Sequence, residues 1–408
     1  MASKKPNEVT SPTETPEQRQ ERINASLKKY NFKPTSELID EYINRPVYFM
    51  EPLSLSLGMN YVCPKTGLPG VPQGVIMEVA GGPGNLKSAL AEQFAKNVLD
   101  ADPFNQVACL FFEPCNFLRL KKVLGEERME RFHRLERSNR DDVISAEEGL
   151  HTLLNFGASC KEVVYCIVDS FGAMPTSREL FDKDGNFKPL DARAQLGHRA
   201  NVITEFINQW NGLNPNTRPI LIALNHMKDQ IDTGDATIAQ LKVDRIGANI
   251  HYESPGGKGF KFACDYRIKA MAKKPDPTNE AEREKHALFG NRRMEDLEGH
   301  FEIFKNKGCP DFGSLTAQGN FNLARGCFDV EDEIISYSDF LGYEELRKGG
   351  AYIYVEPLKK NVRYDTAIEY LRTDNEFKLE MIRKITKDRA QLFGTNKKSK
   401  GVSAHEAL

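Results

Sequence analysis

The sequence predicts an α/β fold built on a mostly parallel central sheet with helices on its faces. Two observations support this prediction. Between about residues 74 and 271, short apolar runs alternate with helical stretches, and each run is continuously apolar instead of alternating with polar residues. Strands of that kind are typical of a sheet covered on both faces. The predicted buried strands span residues 75–80, 107–112, 163–168 and 220–224.

Length and charge limit the classes of protein to consider. A chain of 408 residues is long enough for one large core with additions or for two modest domains. Its 56 Lys and Arg residues nearly balance 58 Asp and Glu, which gives a net charge of −2. This balance excludes a globally basic nucleic-acid coat but leaves local basic grooves. No apolar run in the sequence approaches the roughly 18 residues that cross a bilayer, so no membrane partner is expected.

The cysteines and histidines indicate a reduced, cytoplasmic protein. The eight cysteines are scattered without a C-x-x-C pair, and the N-terminal residues lack the apolar stretch of a secretory signal. The eight histidines form no H-E-x-x-H motif. A dedicated transition-metal site is therefore not expected.

The N-terminal residues predict a helical arm. A capping-box start at Thr15 precedes a helix that carries Ile23 and Leu27, and a second short helix is expected near Thr35. A segment of about 45 residues is too short to form a domain alone. We therefore interpret residues 1–45 as an arm that packs on another surface, such as a neighbouring subunit.

The C-terminal part predicts strands and one final helix. Residues 260–271 alternate apolar and polar side chains, which indicates a strand near the exposed side of the sheet. The charged residues 272–299 predict an exposed excursion before a strand over 301–304. A last helix is expected near 364–387, followed by a basic disordered tail. The predicted divisions are the arm over 1–45, a core over 46–356 and a C-terminal helix with its tail over 357–408.

The strongest functional signal is a phosphate-binding loop. Small residues let backbone N–H groups surround phosphates, a lysine reaches the outer phosphates, and a hydroxyl holds Mg²⁺. A chance glycine-rich turn would not account for the apolar strand before the loop and the helical run after it. The residue before the lysine is Leu86, where the usual pattern has a glycine. Because leucine disfavours positive φ, Leu86 either takes ordinary helical angles or alters the loop. The loop residues are Gly81, Gly82, Pro83, Gly84, Asn85, Leu86, Lys87 and Ser88.

Three polar residues follow predicted strands at the edge where parallel sheets bind ligands. Asp169 is suited to hold Mg²⁺ together with Ser88. Glu113 could orient and deprotonate an attacking water, although a solvated turn residue is an equal alternative. Asn225 could sense a γ-phosphate through its amide, and the alternative is a simple turn asparagine.

These residues together resemble the RecA recombinases, in particular the UvsX type carried by T-even phages. The resemblance covers about residues 50–356, and the stretch Gly70–Val79 is similar to the lead into the family's phosphate loop. It implies a RecA-like P-loop ATPase core with ATP and Mg²⁺ as cofactors. It also implies that Glu113 is the catalytic glutamate and that Asn225-His226 stands at the amide sensor. Phage members similarly carry a bulky residue where Leu86 stands.

A lysine pair separates two branches of this ATPase fold. Lys305 and Lys307 directly follow a predicted strand, and strand alternation would direct both side chains the same way. By resemblance, a Lys-x-Lys pair here reaches the γ-phosphate bound by the neighbouring subunit, whereas replicative helicases carry Lys-x-Arg. Charges supplied by a neighbour make hydrolysis depend on assembly. Without the resemblance, the pair would be interpreted as exposed strand-end lysines.

The resemblance further implies two loops that contact single-stranded DNA, over 175–189 and 227–257. Both carry Gly, Asp and Lys and lack stable periodicity, which suits loops that order on binding DNA. Taken singly, each basic residue could be a solvated surface charge. The candidate DNA contacts are Arg178, Lys183, Lys188, Lys228, Lys242, Arg245, Gly256, Gly257 and Lys258.

The expected function is ATP-dependent DNA strand exchange in recombination and repair. The protein would form a helical filament on single-stranded DNA, take double-stranded DNA as its second substrate, and hydrolyse ATP at subunit interfaces in a phage-infected bacterial cell. A single-strand-binding protein and a loader are the expected accessory partners. Two alternatives remain at this point: a hexameric helicase or motor with the same core, and a filament or scaffold protein that binds nucleotide without hydrolysing it.

Overall fold

The structure is a computed structural model that describes residues 15–29, 39–41, 43–135, 143–188, 197–229, 252–253, 255–272, 296–307, 315–322 and 325–394. The chain divides into two compact units, residues 1–45 and 46–408. The first contains helix α1 (Pro16–Lys29). Its predicted capping box is confirmed, because Gln18 N donates to Thr15 Oγ1 at 3.2 Å and Thr15 N donates to Gln18 Oε1 at 3.1 Å.

The second unit begins with short elements that lead into the sheet. In chain order they are β1 (Val47–Tyr48), α2 (Leu53–Gly58), β2 (Val71–Pro72), β3 (Ile76–Gly81), α3 (Lys87–Ala101), β4 (Gln106–Phe111), α4 (Phe117–Leu124), α5 (Glu126–Met129) and β5 (Phe132–Arg134). The middle elements are α6 (Ala146–Ser159), β6 (Val163–Asp169), α7 (Ser177–Leu180), α8 (His198–Asn211), β7 (Ile220–His226), β8 (Lys228–Asp229), β9 (Tyr252–Glu253), α9 (Gly257–Ala263) and β10 (Tyr266–Ala272).

The last elements complete the sheet and add a C-terminal module. They are β11 (Asp296–Asn306), β12 (Leu315–Asn322), β13 (Cys327–Phe328), α10 (Val330–Phe340), β14 (Leu346–Gly349), β15 (Tyr352–Val355), β16 (Lys360–Arg363), α11 (Tyr364–Thr373) and α12 (Asn375–Gly394).

The protein has an α/β fold with a mixed, mostly parallel central sheet of nine strands flanked by helices. The strand order is β13-β12-β11-β10-β3-β7-β6-β4-β5. The six strands from β10 to β5 pair in parallel, whereas β11, β12 and β13 add on in antiparallel fashion. The four predicted buried strands are confirmed as β3, β4, β6 and β7, and separate apolar clusters cover the two faces.

The strand predicted over residues 260–271 is wrong in its first half. Residues Gly257–Ala263 form helix α9, and only Tyr266–Ala272 forms a strand. Residues two apart on a helix point to different sides, so Phe260 is buried while Phe262 is 75% exposed. A short helix with one buried and one exposed phenylalanine therefore gave the same alternation as a strand.

Two further boundaries differ from the prediction. Strand β11 already begins at Asp296, inside the segment expected to be an exposed excursion. The single helix expected near 364–387 is two helices, because the Asp374 side chain accepts a hydrogen bond from Phe377 N at 3.0 Å and starts α12 anew. Residues 395–408, the expected disordered tail, lie outside the described residues.

The C-terminal module surrounds an apolar cluster of its own, to which α2 contributes Leu53 and Leu57. Strands β14, β15 and β16 form a three-stranded sheet, and the division expected at residue 356 falls between the paired strands β15 and β16. The Glu333 carboxylate accepts hydrogen bonds from Leu53 N at 2.7 Å and Ser54 N at 2.8 Å. It thereby joins α10 to the first turn of α2. Among the described helices, none combines the length and apolar character needed to cross a membrane.

Candidate nucleotide-binding site

The candidate site lies where β3 turns into α3, beside the carboxyl ends of β4, β6 and β7. Leu86 takes φ 58° and ψ 13°, a left-handed conformation that costs a residue with a Cβ about 1–2 kcal/mol. The leucine therefore does not adopt ordinary helical angles. Its side chain packs on the central core, and a Cβ placed at Gly299 would lie only 3.0 Å from Leu86 Cδ1. Packing against β11 holds the leucine in this conformation.

Lys87 lies in the loop with its ammonium group directed at the loop's own carbonyls. Its Nζ donates to Gly81 O at 3.0 Å and to Gly82 O at 2.8 Å. Burial lowers the pKa of Lys87, and the nearby charges of Asp169 and Glu113 oppose that shift. A phosphate group at the loop would offer the lysine a full negative charge in place of two carbonyl dipoles.

Ser88 and Asp169 form the pair suited to a divalent cation. Ser88 Oγ donates to Asp169 Oδ2 at 3.1 Å. Burial raises the pKa of Asp169 to about 6, and the neighbouring Glu113 adds to the rise. A hydroxyl and a carboxylate are ligands that Mg²⁺ accepts, with phosphates and water completing the shell. In the described part of the chain, no group of three or more His, Cys, Asp or Glu could hold a metal ion.

Glu113 is held by two partners at its carboxylate. Ser170 Oγ donates to Glu113 Oε1, and His226 Nε2 lies 2.9 Å from Glu113 Oε2. Burial by itself would raise the pKa of Glu113, but the hydrogen bonds from Ser170 and His226 together hold it below its usual value. The carboxylate is therefore ionised at neutral pH, as a general base must be. Each carboxylate oxygen has a second lone pair, so Glu113 can still accept a hydrogen bond from a water.

The structure does not bring Asn225 to this cluster. Successive residues of a strand point to opposite faces, so His226 reaches Glu113 while Asn225 is completely buried elsewhere. The amide Nδ2 of Asn225 donates to Glu78 Oε1 at 2.8 Å and to Pro255 O at 3.2 Å. The sequence predicted no role for Ser170 or for His226 as partners of Glu113. Ser170 directly follows Asp169 and His226 directly follows Asn225, but adjacency alone does not tell which of two neighbouring side chains faces the site.

Lys305 and Lys307 lie apart from this cluster, at the end of β11. Lys305 Nζ donates to Lys261 O at 2.7 Å and Phe262 O at 2.9 Å, and Lys307 Nζ donates to Ala263 O at 2.9 Å. Both side chains therefore point to the C-terminal end of α9. Lys305 pairs with Arg267 on β10, and Arg267 pairs with Glu78 on β3, three residues before the loop begins at Gly81. Three residues of strand and two strand spacings separate Lys305 from its own chain's phosphate loop, roughly 14 Å.

The first candidate DNA loop contains one short helix and one isolated bridge among turns. Thr176 and Glu179 form a capping box at α7, and Lys188 Nζ donates to Arg178 O at 2.5 Å. Phe181 and Phe187 form the bridge, and their rings lie 5.2 Å apart. Within the described residues 175–188, Lys183 is exposed.

Only the ends of the second candidate loop lie within the described residues. Strand β8, which contains Lys228, pairs with β9 in antiparallel fashion. Gly256 and Gly257 adopt φ 113° and 71° at the start of α9, and Lys258 is exposed. Lys242 and Arg245 lie outside the described residues.

Comparison of the chain with protein-family models and with curated proteins found no match.

Proposed function

We propose that this chain is an ATP-dependent DNA strand-exchange protein of the RecA type, closest to the UvsX recombinases, that polymerises on single-stranded DNA. The proposal includes a RecA-like P-loop core, the cofactors ATP and Mg²⁺, and the cytoplasm of a phage-infected bacterium. One observation supports it above the others: the loop lysine, a hydroxyl–carboxylate pair and a hydrogen-bonded glutamate lie together at one edge of the sheet. These residues are Lys87, Ser88, Asp169 and Glu113.

The residues divide the chemistry between them. Lys87 exchanges the carbonyls of Gly81 and Gly82 for phosphate oxygens. Ser88 and Asp169 would hold Mg²⁺, which would supply positive charge at the phosphates. Glu113 accepts a proton from the attacking water through a lone pair that its bonds to Ser170 and His226 leave free. Every step uses a side chain that already lies in the cluster.

The position of the lysine pair favours action between subunits. Lys305 and Lys307 bond to the C-terminal end of α9 and not to their own chain's phosphate loop. Next to them the side chain of Phe262 is 75% exposed and that of Phe304 37%. Exposed aromatic residues beside a charged pair are typical of an interaction surface. A neighbouring subunit docked there would receive both lysines at its nucleotide, which supports a homo-oligomeric filament.

The test is ATP hydrolysis by the purified chain with Mg²⁺, with and without single-stranded DNA. We expect DNA to stimulate hydrolysis, and we expect Lys87→Ala and Glu113→Gln to abolish it. Lys96→Ala is the matched control, because Lys96 lies on the same helix and forms its ion pair with Asp100, outside the candidate site. It should hydrolyse ATP like the unsubstituted chain. Hydrolysis should be followed by a strand-exchange assay with homologous double-stranded DNA, with and without a single-strand-binding protein and loader. Unchanged ATP hydrolysis in both Lys87→Ala and Glu113→Gln would refute the assignment of these residues to the catalytic site.

A nucleotide-binding scaffold is the second candidate, and one observation favours it. Both oxygens of Glu113 are already held, by Ser170 and by His226, as they would be in a carboxylate with a structural role. If the chain binds ATP in a Lys87-dependent way but never hydrolyses it, with or without DNA, this second function replaces the first. A closed hexameric ring with unwinding activity would instead indicate a helicase.

A further inference from the structure

A buried ion pair joins helix α3, which follows the phosphate loop, to helix α4. Glu92 of α3 is only 3% exposed. Arg119 of α4 donates from Nε to Glu92 Oε2 at 2.9 Å and from Nη2 to Glu92 Oε1 at 2.6 Å. Both carboxylate oxygens are therefore bonded to one guanidinium. A bidentate contact of this kind adds geometric specificity to the way in which two elements meet.

Packing alone does not explain the pair. The core face of α4 is supplied by Leu120, Val123 and Leu124, which are all buried. Burial raises the pKa of Glu92, and the bonds from Arg119 oppose that rise, so the charged carboxylate is unfavourable to bury. Replacing a buried ion pair by apolar residues of similar volume is often neutral or stabilising. The pair therefore suits a positioning role better than a stabilising one.

The Glu92 end of the pair lies one helical turn beyond Ser88, a candidate Mg²⁺ ligand. Residues four apart on a helix lie on the same face, so Glu92 continues the face from which Ser88 bonds to Asp169. Burial would lower the pKa of Arg119, but the bonds to Glu92 and the charge of Asp169 raise it above its usual value. The guanidinium is therefore close enough to Asp169 to interact with its charge.

The Arg119 end of the pair lies beside the link 113–116, which connects the candidate general base Glu113 to α4. At the start of the link, Glu113 N donates to Asp169 O at 3.2 Å. At its end, Asn116 caps α4, because Asn116 Oδ1 accepts from Arg119 N at 3.0 Å. Arg119 thus bonds to the cap through its backbone and to α3 through its side chain. The link is held at both ends.

We propose that Arg119 and Glu92 are positioning residues for ATP hydrolysis that hold the link 113–116 in place. In this role they keep the Glu113 carboxylate beside the phosphates and contact no nucleotide themselves. The inference rests on the proposed function, because it assumes that ATP is hydrolysed at this site. A displacement of about 1 Å at a reacting group can lower a rate about 100-fold. Loss of the pair should therefore lower kcat and leave the binding of ATP unchanged.

The experiment compares the full chain with the double variant that combines Glu92→Leu and Arg119→Met, by DNA-stimulated ATP hydrolysis and by melting temperature. The double variant removes both charges together and leaves apolar side chains, so its melting temperature should match or exceed that of the unsubstituted chain. We expect kcat to fall by about 10–100-fold and KM for ATP to change by less than about twofold. If the pair had only a structural role, the apolar side chains would replace it and kcat would stay unchanged.

The matched control is Arg128→Met. Arg128 of α5 pairs with Asp100 of α3, which lies about 18 Å along the helix from Ser88. This variant breaks an ion pair between α3 and a later helix and leaves the link 113–116 intact, so its kcat should equal that of the unsubstituted chain.

A second variant covers the case in which the double variant does not fold. Glu92→Gln keeps the shape of the side chain but has one acceptor oxygen where the carboxylate has two. Arg119, whose side chain is 37% exposed, can still contact water in this variant. We expect the same pattern, a lower kcat at unchanged KM.

The outcomes separate the two proposals. If the unsubstituted chain does not hydrolyse ATP, the proposed enzymatic function fails and this inference fails with it. If it hydrolyses ATP and the double variant keeps its kcat, the candidate site stands and the positioning role is overturned; Glu92→Gln decides in the same way where the double variant does not fold. A change confined to KM, or a loss of kcat in Arg128→Met as large as in the double variant, overturns the positioning role as well.

Discussion

The left-handed leucine of the phosphate loop allows a quantitative prediction. Leu86 at φ 58° carries a backbone cost of about 1–2 kcal/mol. A fully buried leucine contributes about 1.5–3 kcal/mol, so the half-buried Leu86 contributes roughly 1 kcal/mol by packing on the core. Replacement by glycine removes the backbone cost. It also removes the packing and makes the unfolded chain more flexible, by about 0.4–1 kcal/mol.

The relief of backbone strain and the loss of packing nearly cancel in Leu86→Gly, whereas Leu86→Ala has only the loss of packing. Leu86→Gly should change the free energy of unfolding by less than about 1 kcal/mol. Leu86→Ala keeps the left-handed strain and loses the packing, so it should destabilise the fold by about 1 kcal/mol. Nucleotide binding should survive Leu86→Gly, because glycine adopts the observed φ without strain.

The partner residue completes a double-mutant cycle. A Cβ at Gly299 would lie 3.0 Å from Leu86 Cδ1 and 3.1 Å from Phe301 Cε2, so Gly299→Ala should destabilise the fold by about 1–2 kcal/mol. In the double variant with Leu86→Gly, the collision with Leu86 disappears and only that with Phe301 remains. The two substitutions should therefore couple favourably, by roughly 1 kcal/mol.

The assay is chemical denaturation followed by tryptophan fluorescence. The chain has one tryptophan, and Trp210 is completely buried in the unit that contains the loop. The denaturation midpoints of the unsubstituted chain, the two single variants and the double variant, analysed with the same denaturant dependence, give the coupling free energy directly. Strict additivity of the two substitutions, or a Leu86→Gly variant as unstable as Leu86→Ala, would refute the described packing of the loop.

Two further predictions concern charge. The folded pKa of Asp169, about 6, lies above its usual 3.8. The protonated group therefore contributes its full stability below about pH 4, and about 3 kcal/mol is lost as pH rises through 6. Denaturation midpoints should show Asp169→Asn more stable relative to the unsubstituted chain above pH 6 than at low pH, with Mg²⁺-dependent nucleotide binding lost; equal pH profiles would contradict this. If Lys305 acts on a neighbour's nucleotide, mixing inactive Lys305→Ala with inactive Lys87→Ala should restore some DNA-stimulated ATP hydrolysis. Some interfaces in the mixture would then combine an intact phosphate loop from one subunit with an intact Lys305 from the other. A mixture as inactive as its components would count against action between subunits.

Much of the sheet could be predicted because burial on both faces leaves a simple trace in the sequence. Strands such as Val163–Asp169 are continuously apolar and short, which few other elements are. Helix α9 could not be recognised in the same way. Its seven residues are too few to display a helical period, and the buried Phe260 and exposed Phe262 gave a strand-like alternation. Local pattern decides secondary structure only when the element is long enough to repeat it.

The candidate site divides along a similar line. Asp169 and Glu113 could be placed together from sequence, since parallel strands end at one edge and each residue follows such a strand. The choice between Asn225 and His226 could not be made, because one residue in register decides which face of a strand a side chain occupies. The predicted strand stopped at residue 224, whereas β7 extends to His226. The partners of Glu113 therefore emerged only from the three-dimensional arrangement.

Each candidate catalytic group is already bonded within the chain, and this has a consequence for the proposed mechanism. Lys87 is bonded to loop carbonyls, Glu113 to Ser170 and His226, and Lys305 to the end of α9. A hydrogen bond to a charged group contributes about 1.5–3 kcal/mol, so releasing Lys87 or Lys305 from its present partners is unfavourable. A phosphate group can replace the bonds lost at Lys87, whereas a docked subunit must replace those lost at Lys305. Hydrolysis by the isolated chain should therefore be slow, and assembly on DNA should accelerate it.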